Sequence, residues 1–231
     1  MSKLTVATYN IHSCIGSDKA YDPLRIASVI NHIKPDIIGL QEVDTGYRIA
    51  EKVHQVSILE SETGLHSIEG PTIKNTAGFY GNLVLTKLDN TLVTRKDISQ
   101  YGFEPRGILC VEFEYQHHTV AFIVTHFGLN ANERLAQADM LISFIESLSC
   151  DMIIIGGDLN IWCTLERSGR KLRNKLSKAQ GLPTFHSRIP LLSLDRIWIV
   201  PAVSNMHMYT LNNRYTRFAS DHLPLIAEID L

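Results

Sequence analysis

The sequence predicts an α/β protein whose strands run in both directions and form mixed sheets in layers with helices. Short apolar runs such as DMIIIGGDLN are typical of fully buried strands. Amphipathic stretches such as YDPLRIASVINHIKP are typical of helices, and four consecutive strand candidates near mid-chain look antiparallel. No repeat, low-complexity tract or Pro/Gly/Ser-rich linker divides the 231 residues, so we expect a single domain over residues 1–231.

The first half of the chain begins with a strand candidate, LTVATYN, and a helix that Asp22 caps, with Pro23 at its first position. The apolar face of that helix carries Ile26, Val29, Ile30 and Ile33, and Pro35 stops it. The run DIIGLQE predicts a buried strand, and a second helix is expected from Ile49 to Thr63. The four strand candidates that follow are GFYGNLVLTK, NTLVTRKDI, RGILCVEFEY and HTVAFIVTH.

The second half alternates again between helices and strands. An amphipathic helix, NANERLAQADMLISFIESLS, is predicted to turn inward Leu135, Ala138, Ile142, Ile145 and Leu148. The buried strand DMIIIGGDLN follows, and then a basic helix, TLERSGRKLRNKLSKA, for which a solvated face is the favoured interpretation over steering of an anionic substrate. Three further strands are predicted at LDRIWIV, at Ser204 to Leu211 and at LPLIAEI.

Polar side chains stand where these strand candidates end. The strand ends carry Asn10, Glu42, His126, and the pair Asp158 and Asn160. Two late strands show the mirror pattern, because Asp195 precedes RIWIV and Asp221 and His222 precede LPLIAEI. Ligands of open α/β sheets bind beyond the carboxyl ends of strands, and a strand of opposite direction presents its beginning at that same edge. We therefore expect all six features to meet in one pocket.

The residue types in this pocket predict phosphoester chemistry. Glu42, Asp158, Asp195 and Asp221 repel one another unless a cation or an imidazolium offsets their charge. An oxygen-rich ligand set favours Mg²⁺ or Mn²⁺ over zinc, and a hard cation beside Asn, Asp and His suits attack of water on a phosphoester. No activated Ser or Cys nucleophile is apparent, which favours direct attack by water.

The adjacency of Asp221 and His222 carries a geometric prediction. In a regular strand the two side chains would face opposite sides, so they act together only where the backbone is still turning. We therefore predict that residues Ser220 to His222 do not form regular strand. A carboxylate bonded to one nitrogen of His222 would fix the ring's tautomer and leave the other N–H to donate to an oxyanion.

Eight segments in order resemble the endonuclease/exonuclease/phosphatase superfamily, which includes deoxyribonuclease I, exonuclease III-type repair nucleases, inositol polyphosphate 5-phosphatases and neutral sphingomyelinases. The segments are TYNIH, LQEVD, GNLVLTK, EPRGIL, THFGL, GGDLN, LDRIW and SDHLPL, and they extend from Thr8 to Leu225. The stretches THFGLNANERLAQ and LPTFHSRIPLLSLDRIW look most like the short bacterial members. The resemblance implies a four-layer α/β sandwich, two mixed sheets packed face to face with helices outside.

The resemblance also implies a role for each matching residue. The metal side would be formed by Glu42 as principal ligand, with Asn10 and Asp221 nearby, directly or through water. Asp158 would orient and deprotonate the attacking water, and Asn160 would hold that water or a phosphate oxygen. His222, paired with Asp195, would stabilise the transition state. His126 would contact the phosphate or protonate the leaving oxygen. Arg106 and Asn82 would contact the substrate near its phosphate.

Some of these positions also have purely structural interpretations. Asn10 and Asn82 are of the type most common in turns, and for Asn82 the structural and the functional interpretation stay equally open. Asp195 also has a possible surface partner in Arg196, an ion pair worth little; we prefer the partnership with His222.

We therefore expect a Mg²⁺- or Mn²⁺-dependent phosphoesterase, more a phosphodiesterase than a monoesterase. Nuclease activity is one option, and cleavage of a phospholipid or phosphoinositide head group is another. Calcineurin-like phosphatases are a poorer match, because this chain has NIH where they need D-x-H and lacks a later G-N-H-[DE]. A non-catalytic binding module is a further alternative, against which stands the complete set of expected catalytic positions.

Composition narrows the class without choosing the substrate. A net charge of −2 and a pI near 6.5 argue against a protein coated in basic residues for nucleic acid. The four cysteines have no C-x-x-C pair, so a disulfide framework or zinc knuckle is not expected. No segment spans a bilayer and no signal-peptide core is visible, so we expect a cytoplasmic protein, acting as a monomer.

Overall fold

The computed structural model describes residues 3–47, 54–163, 165–176, 181–203 and 205–230. Strands of the first half are β1 (Lys3–Asn10), β2 (Ile37–Asp44), β3 (His66–Lys74), β4 (Phe79–Thr86), β5 (Asn90–Asp97) and β6 (Gly107–Tyr115). Strands of the second half are β7 (His118–His126), β8 (Met152–Asp158), β9 (Asp195–Val200), β10 (Met206–Thr210) and β11 (Leu225–Asp230). The helices are α1 (Pro23–Ile33), α2 (Gln55–Thr63), α3 (Ala131–Glu146), α4 (Arg167–Leu176) and α5 (Thr216–Ala219), with a short 3₁₀ helix at His12–Cys14.

The strands form two mixed sheets. One has six strands in the order β10-β11-β1-β2-β4-β3, and the other has five in the order β5-β6-β7-β8-β9. Strands β1 and β2 are parallel, as are β7 and β8, whereas the other neighbours are antiparallel. The two parallel pairs place the carboxyl ends of β1, β2, β7 and β8 where ligands bind in α/β folds.

Three apolar clusters separate the layers. The middle cluster fills the space between the sheets, with side chains such as Val6 and Val84 from one sheet and Phe122 and Ile154 from the other. A second cluster lies between the six-stranded sheet and helices α1 and α2, and a third between the five-stranded sheet and helices α3 and α4. The prediction of two mixed sheets face to face with helices outside is confirmed.

Helix α1 shows how local sequence sets an element. The Asp22 carboxylate accepts hydrogen bonds from Leu24 N at 3.0 Å and Arg25 N at 3.3 Å, and Pro23 occupies the first turn. The predicted apolar face is buried. The helix ends where Lys34 adopts φ 53°, ψ 53°, and its N–H bonds Ile30 O.

Several element boundaries differ from those expected. Strand β3, HSIEGPTIK, was not predicted, because Gly70 and Pro71 interrupt its pattern and it lies at the sheet edge, where proline is tolerated. Strand β2 continues past Glu42 to Asp44. Three predicted elements extend outside the described residues. These parts are residues 49–53 of the second predicted helix, Ser204 of the predicted late strand, and Thr164 and residues 177–179 of the predicted basic helix.

Helix α3 turns a different face inward from the one that the apolar pattern predicts. Ala138, Leu141 and Ile145 are buried, whereas Leu135 and Ile142 are half-buried. Leu148, also half-buried, lies beyond the end of the helix. The difference begins in the first turns, where the polar side chains of Glu133, Arg134 and Gln137 are buried in hydrogen bonds to the preceding loop. Within the described ranges, no helix has the length and apolarity that a membrane crossing requires.

Candidate active site

Strand register places three of the candidate residues side by side. His126 of β7 pairs with Asp158 of β8, and Asp158 pairs in turn with Asp195 of β9. Side chains of directly paired residues project from the same face of a sheet. His126 Nε2 accordingly lies 3.6 Å from Asp158 Oδ2. The five-stranded sheet thus delivers a row of one imidazole and two carboxylates.

The six-stranded sheet contributes Asn10 and Glu42 across from this row. The Asn10 amide nitrogen donates to Glu42 Oε1 at 2.9 Å and to Asp158 Oδ2 at 3.1 Å. Its carbonyl oxygen accepts the His12 N–H at 3.0 Å. One amide, itself 1% exposed, therefore holds a carboxylate from each sheet and fixes the distance between them.

Glu42 reaches the cleft because β2 bulges beneath it. The pairing of β2 with β4 shifts register between Leu40 and Val43, and Glu42 has φ 57°. Bulges of this kind re-aim a side chain and are common beside active sites. Gln41 remains buried and hydrogen-bonds Thr8, while the Glu42 side chain is 20% exposed. The alternation expected of a regular strand would not by itself give this arrangement.

His222 forms the expected pair with Asp195. Its Nδ1 lies 2.8 Å from Asp195 Oδ2, an oxygen that also accepts the Thr184 hydroxyl. Its Nε2 faces the cleft, 3.6 Å from Asp158 Oδ2. Strand β11 begins only at Leu225, so the prediction that Ser220 to His222 are not regular strand is confirmed.

The surroundings of Asp158 and His222 raise the pKa of both groups, with a different consequence for each. Burial raises the pKa of Asp158 to about 6, although the neighbouring His222 and the Asn10 and Asn160 donors act against the rise. Burial alone would lower the pKa of His222, but the Asp195 and Asp158 carboxylates outweigh it and raise that pKa to about 10. At neutral pH the site therefore holds an imidazolium beside a carboxylate that is close to its titration point.

Asn160 joins the ends of β7 and β8. Its backbone, at φ 50°, brings its N–H to 3.0 Å from Asp158 Oδ1. Its side-chain nitrogen donates to Phe127 O at 3.0 Å and lies 3.2 Å from His126 Nε2. With Asn160 as the donor, His126 Nε2 is the acceptor, which corresponds to the His126 tautomer with its hydrogen on Nδ1.

Asp221, which follows Ser220, also borders the cleft, and its side chain is 25% exposed.

The two residues expected at the substrate occupy different positions. Arg106 borders a cleft of about 250 Å³ together with Glu42, His126, Asp158, Asn160, Asp221 and His222, and it forms an ion pair with Glu104. Asn82 is 2% exposed, donates to Gly107 O at 3.0 Å, and is not among the residues that border this cleft. The role of Asn82 toward substrate stays a prediction; the structure places its amide against the backbone next to Arg106.

Six residues that border the cleft were not singled out from the sequence. They are Tyr80, Glu104, Leu129, Trp162, Phe185 and Leu194. The Phe185 ring packs against His222 with centroids 4.9 Å apart, and Trp162 meets Phe185 edge-on at 6.1 Å. A tryptophan two residues after GGDLN was the available signal for Trp162. Phe185 had none, because the loop before β9 has no periodic pattern.

The donor set of the cleft fits a hard divalent cation. Glu42, Asp158 and Asp221 bring three carboxylates to one pocket, more negative charge than the single imidazolium of His222 offsets. Asp158, Asp195 and His222 also offer ligand atoms within 4.8 Å of one another. Because His222 and Thr184 already bind Asp195 Oδ2, this second group is better described as a hydrogen-bonded chain than as a metal cage.

The family model described as endonuclease/exonuclease/phosphatase family matches residues 7–222. The chain belongs to this family. Members of the family hydrolyse phosphoester bonds and generally depend on divalent metals. The uncharacterized protein YbhP of Escherichia coli K12 is 28% identical over 247 residues, which cover 98% of this chain and 96% of YbhP.

Two solved structures show the same fold. The mannosyl-6-phosphatase Bt3783 of Bacteroides thetaiotaomicron superposes with a TM-score of 0.77 at 18% identity, covering 98% of this chain and all of the other. TDP2 of D. rerio, complexed with a single-strand DNA product, superposes with a TM-score of 0.74 at 15% identity, and both chains are fully covered. At these identities the likeness shows the fold.

Proposed function

We propose that this family member is a divalent-metal-dependent phosphodiesterase that hydrolyses a P–O bond by in-line attack of a water activated by Asp158. The observation that carries the proposal is the position of Asp158. It is buried at the junction of the two sheets, is held by Asn10 and the Asn160 N–H, and has His126 and His222 each 3.6 Å away.

Asp158 acts as the general base in this proposal. A carboxylate with a pKa near 6 is ionised at neutral pH and still basic enough to accept a proton from an attacking water. The Asn10 amide and the Asn160 N–H bind its two oxygens and fix their direction. Asn160 then holds the water or a phosphate oxygen in line with the bond that breaks.

His222 and His126 act on the phosphate. His222 is protonated, and its Nε2–H donates to a non-bridging oxygen as negative charge develops there, while Asp195 holds Nδ1. His126 contacts a second oxygen of the phosphate or, once protonated on Nε2, donates that proton to the leaving group. Arg106, at the cleft edge, contacts the substrate beside its phosphate, and Asn82 stays a candidate contact.

The metal side of the proposal consists of Glu42 as principal ligand with Asn10 and Asp221 nearby, and Mg²⁺ or Mn²⁺ suits this oxygen-rich set. When bound, the cation supplies positive charge that polarises the phosphoryl group. The side-chain carbonyl oxygen of Asn10 already accepts the His12 N–H. In this arrangement Asn10 therefore acts through its side-chain nitrogen, which orients the Glu42 carboxylate by the 2.9 Å hydrogen bond.

Two substrate classes fit this chemistry, nucleic acid and the head groups of phospholipids or phosphoinositides. The fold neighbours include a phosphatase and a protein with a DNA product, so they do not choose between a monoester and a diester. The alternative of a non-catalytic binding module is disfavoured because base, imidazolium, His126 and the carboxylates of the metal side are all present in one cleft.

The test is hydrolysis of bis-p-nitrophenyl phosphate with Mn²⁺ by Glu42→Ala and His222→Ala. Each variant is expected to lose activity at least about 100-fold, since one removes a ligand and the other a charge at the transition state. His207→Ala is the matched control, because that imidazole is exposed on β10. Unchanged rates in both site variants would refute the mechanism. Faster hydrolysis of p-nitrophenyl phosphate than of the diester would show that the activity is that of a phosphomonoesterase.

A further inference from the structure

Large apolar side chains stand exposed on the loops around the mouth of the cleft. They are Phe103, Leu129, Trp162, Leu165, Ile189 and Leu191, with exposed fractions between 46% and 77%. These six residues, here called the apolar rim, come from four separate loops, which precede β6, follow β7, follow β8 and precede β9. Exposed apolar groups concentrated at one place on a surface mark an interaction site.

Contacts join these loops into one surface. Leu129 and Trp162 border the catalytic cleft itself, and Phe103 shares an adjoining cavity of about 390 Å³ with Leu129. The Leu191 N–H donates to Phe185 O at 2.9 Å, so the turn that carries Ile189 folds back onto a residue of the cleft.

Basic side chains border the rim. Arg167 and Arg170 follow Leu165 on the first turns of α4 and are exposed. Farther along the helix, Lys171 and Lys175 form ion pairs with acids of α3. In the part of the chain that the structure describes, no such acid engages the two arginines. They are therefore available to an anion that lies against the rim.

This combination fits a phospholipid bilayer better than a nucleic acid. Bases stack on aromatic rings, but four of the six rim side chains are aliphatic. Apolar side chains that enter the acyl boundary, with arginines at the level of anionic head groups, are the features of proteins that bind at membrane interfaces. A bilayer also presents phosphodiesters at the depth where the cleft opens, whereas a protein seated on the rim would cover that opening.

We propose that the active-site face docks on an anionic phospholipid bilayer through the apolar rim and takes its phosphodiester from a lipid head group there. The choice of substrate rests on the phosphodiesterase function proposed above. The docking itself does not depend on turnover, because it uses side chains outside the set of catalytic groups.

Trp162 provides a direct readout. The chain has two tryptophans, and Trp198 is 3% exposed while Trp162 is 47% exposed. The protein is titrated, in EDTA to prevent turnover, with vesicles of equal parts phosphatidylcholine and phosphatidylglycerol. We expect the emission to shift to shorter wavelength, quenching by brominated acyl chains, and loss of both changes in Trp162→Phe.

The variant Leu165→Ser/Leu191→Ser is expected to weaken vesicle binding by at least about tenfold, since it removes two apolar side chains that the bilayer would bury. Its hydrolysis of soluble bis-p-nitrophenyl phosphate should stay at the wild-type rate. The matched control compares the vesicle binding of Leu191→Ser with that of Leu92→Ser. Leu92 is 52% exposed on β5, near the end of that strand remote from the cleft.

Three outcomes would overturn the docking proposal: no change in Trp162 emission with vesicles, equal binding by the double variant and wild type, or a response to oligo(dT) but not to lipid. Concentration-dependent dimerisation that the rim substitutions abolish would assign the rim to a second copy of the chain instead. Vesicle binding without any hydrolysis of the soluble diester would leave the docking in place and refute the proposed function.

Discussion

Asp158 is the residue at which the two sheets meet chemically. Its side chain is bonded to Asn10 of the first sheet, while His126 and Asp195 are its partners in the register of the second. Its pKa is near 6 because burial disfavours the anion and raises the pKa, while the positive charge of His222 lowers it again in part. The balance between those two effects sets the pH range in which Asp158 would act as the proposed base.

The pH profile of kcat/KM should therefore have an acid limb near pH 6. Below that value Asp158 is protonated and cannot accept a proton, so the rate should fall about tenfold for each further pH unit. His222 stays protonated up to about pH 10 and adds no limb below it. The measurement is steady-state hydrolysis of bis-p-nitrophenyl phosphate from pH 5 to 9.

His222→Gln provides the control for this assignment. It removes the cation that lowers the pKa of Asp158, so the residual activity should show its acid limb at higher pH. An acid limb at the same pH in wild type and variant would assign the titration to another group. Asp158→Asn should lose the limb together with most of the rate.

The sequence predicts individual site residues better than it predicts their partners. The resemblance to the family implies the pairing of His222 with Asp195, two residues that each precede a late strand, and the structure has it. The second donor to Asp195, Thr184, lies in an irregular loop where side-chain period carries no information. For the same reason Phe185, which packs on His222, could not be foreseen.

At the scale of elements, Arg134 ties two active-site loops to helix α3. Its Nε and Nη2 donate to Glu166 at 2.7 and 2.9 Å, and its Nη1 donates to Gly128 O and Leu129 O at 3.1 and 2.6 Å. One of these loops follows His126 and the other follows Asn160. The side chains of Arg134 and Glu166 are 5% and 12% exposed, so water screens this ion pair only weakly.

Arg134→Gln should lower the free energy of unfolding by about 3 kcal/mol, because it leaves the Glu166 carboxylate without its cation in a buried place. Chemical denaturation measures this change. Lys171→Gln is the matched control: its pair with Asp139 is exposed, and its loss should cost less than about 1 kcal/mol. Substituting both partners, as Arg134→Met/Glu166→Met, should restore part of the loss, and equal effects of Arg134→Gln and Lys171→Gln would contradict the account.

Helix α3 and strand β2 show what the period of apolar residues leaves out. The pattern correctly gives the existence of each element. It does not reveal that Arg134 and Gln137 are buried by hydrogen bonds to a neighbouring loop, which rotates the inward face of α3. It also cannot reveal the bulge at Glu42, since a bulge depends on how β4 pairs with β2.

For the molecule as a whole, the sheets approach closely at Gly39. A Cβ at this position of β2 would lie 2.3 Å from Val124 Cγ2 of β7 in the other sheet. Gly39→Ala should therefore destabilise the protein by about 1–3 kcal/mol through overpacking. Thermal or chemical denaturation measures the change.

The compensating variant is Gly39→Ala/Val124→Ala, which removes the two methyl groups that meet the new Cβ. It should be more stable than Gly39→Ala combined with a matched truncation, Val120→Ala, on the same strand. If the two double variants are equally stable, the space between the sheets is not limiting at this point.

The overall architecture was predictable because it depends on many residues that agree. Apolar runs, caps and strand ends each point to the same layers, and errors at single positions do not change them. The order of strands within each sheet is a different matter. Neighbours such as β11 and β1, separated by almost the whole chain, leave no local signal.

That neighbouring pair has a consequence for how the protein is made. Strand β1 is synthesised long before β11, yet it is paired on one side by β11, from Lys3 with Asp230 to Thr8 with Leu225. Until β11 emerges, an apolar central strand has an open edge, the type of edge that recruits other chains. The segment directly before β11 carries Asp221 and His222. A nascent chain thus closes this edge of the sheet and gains these two residues of the candidate site at about the same time.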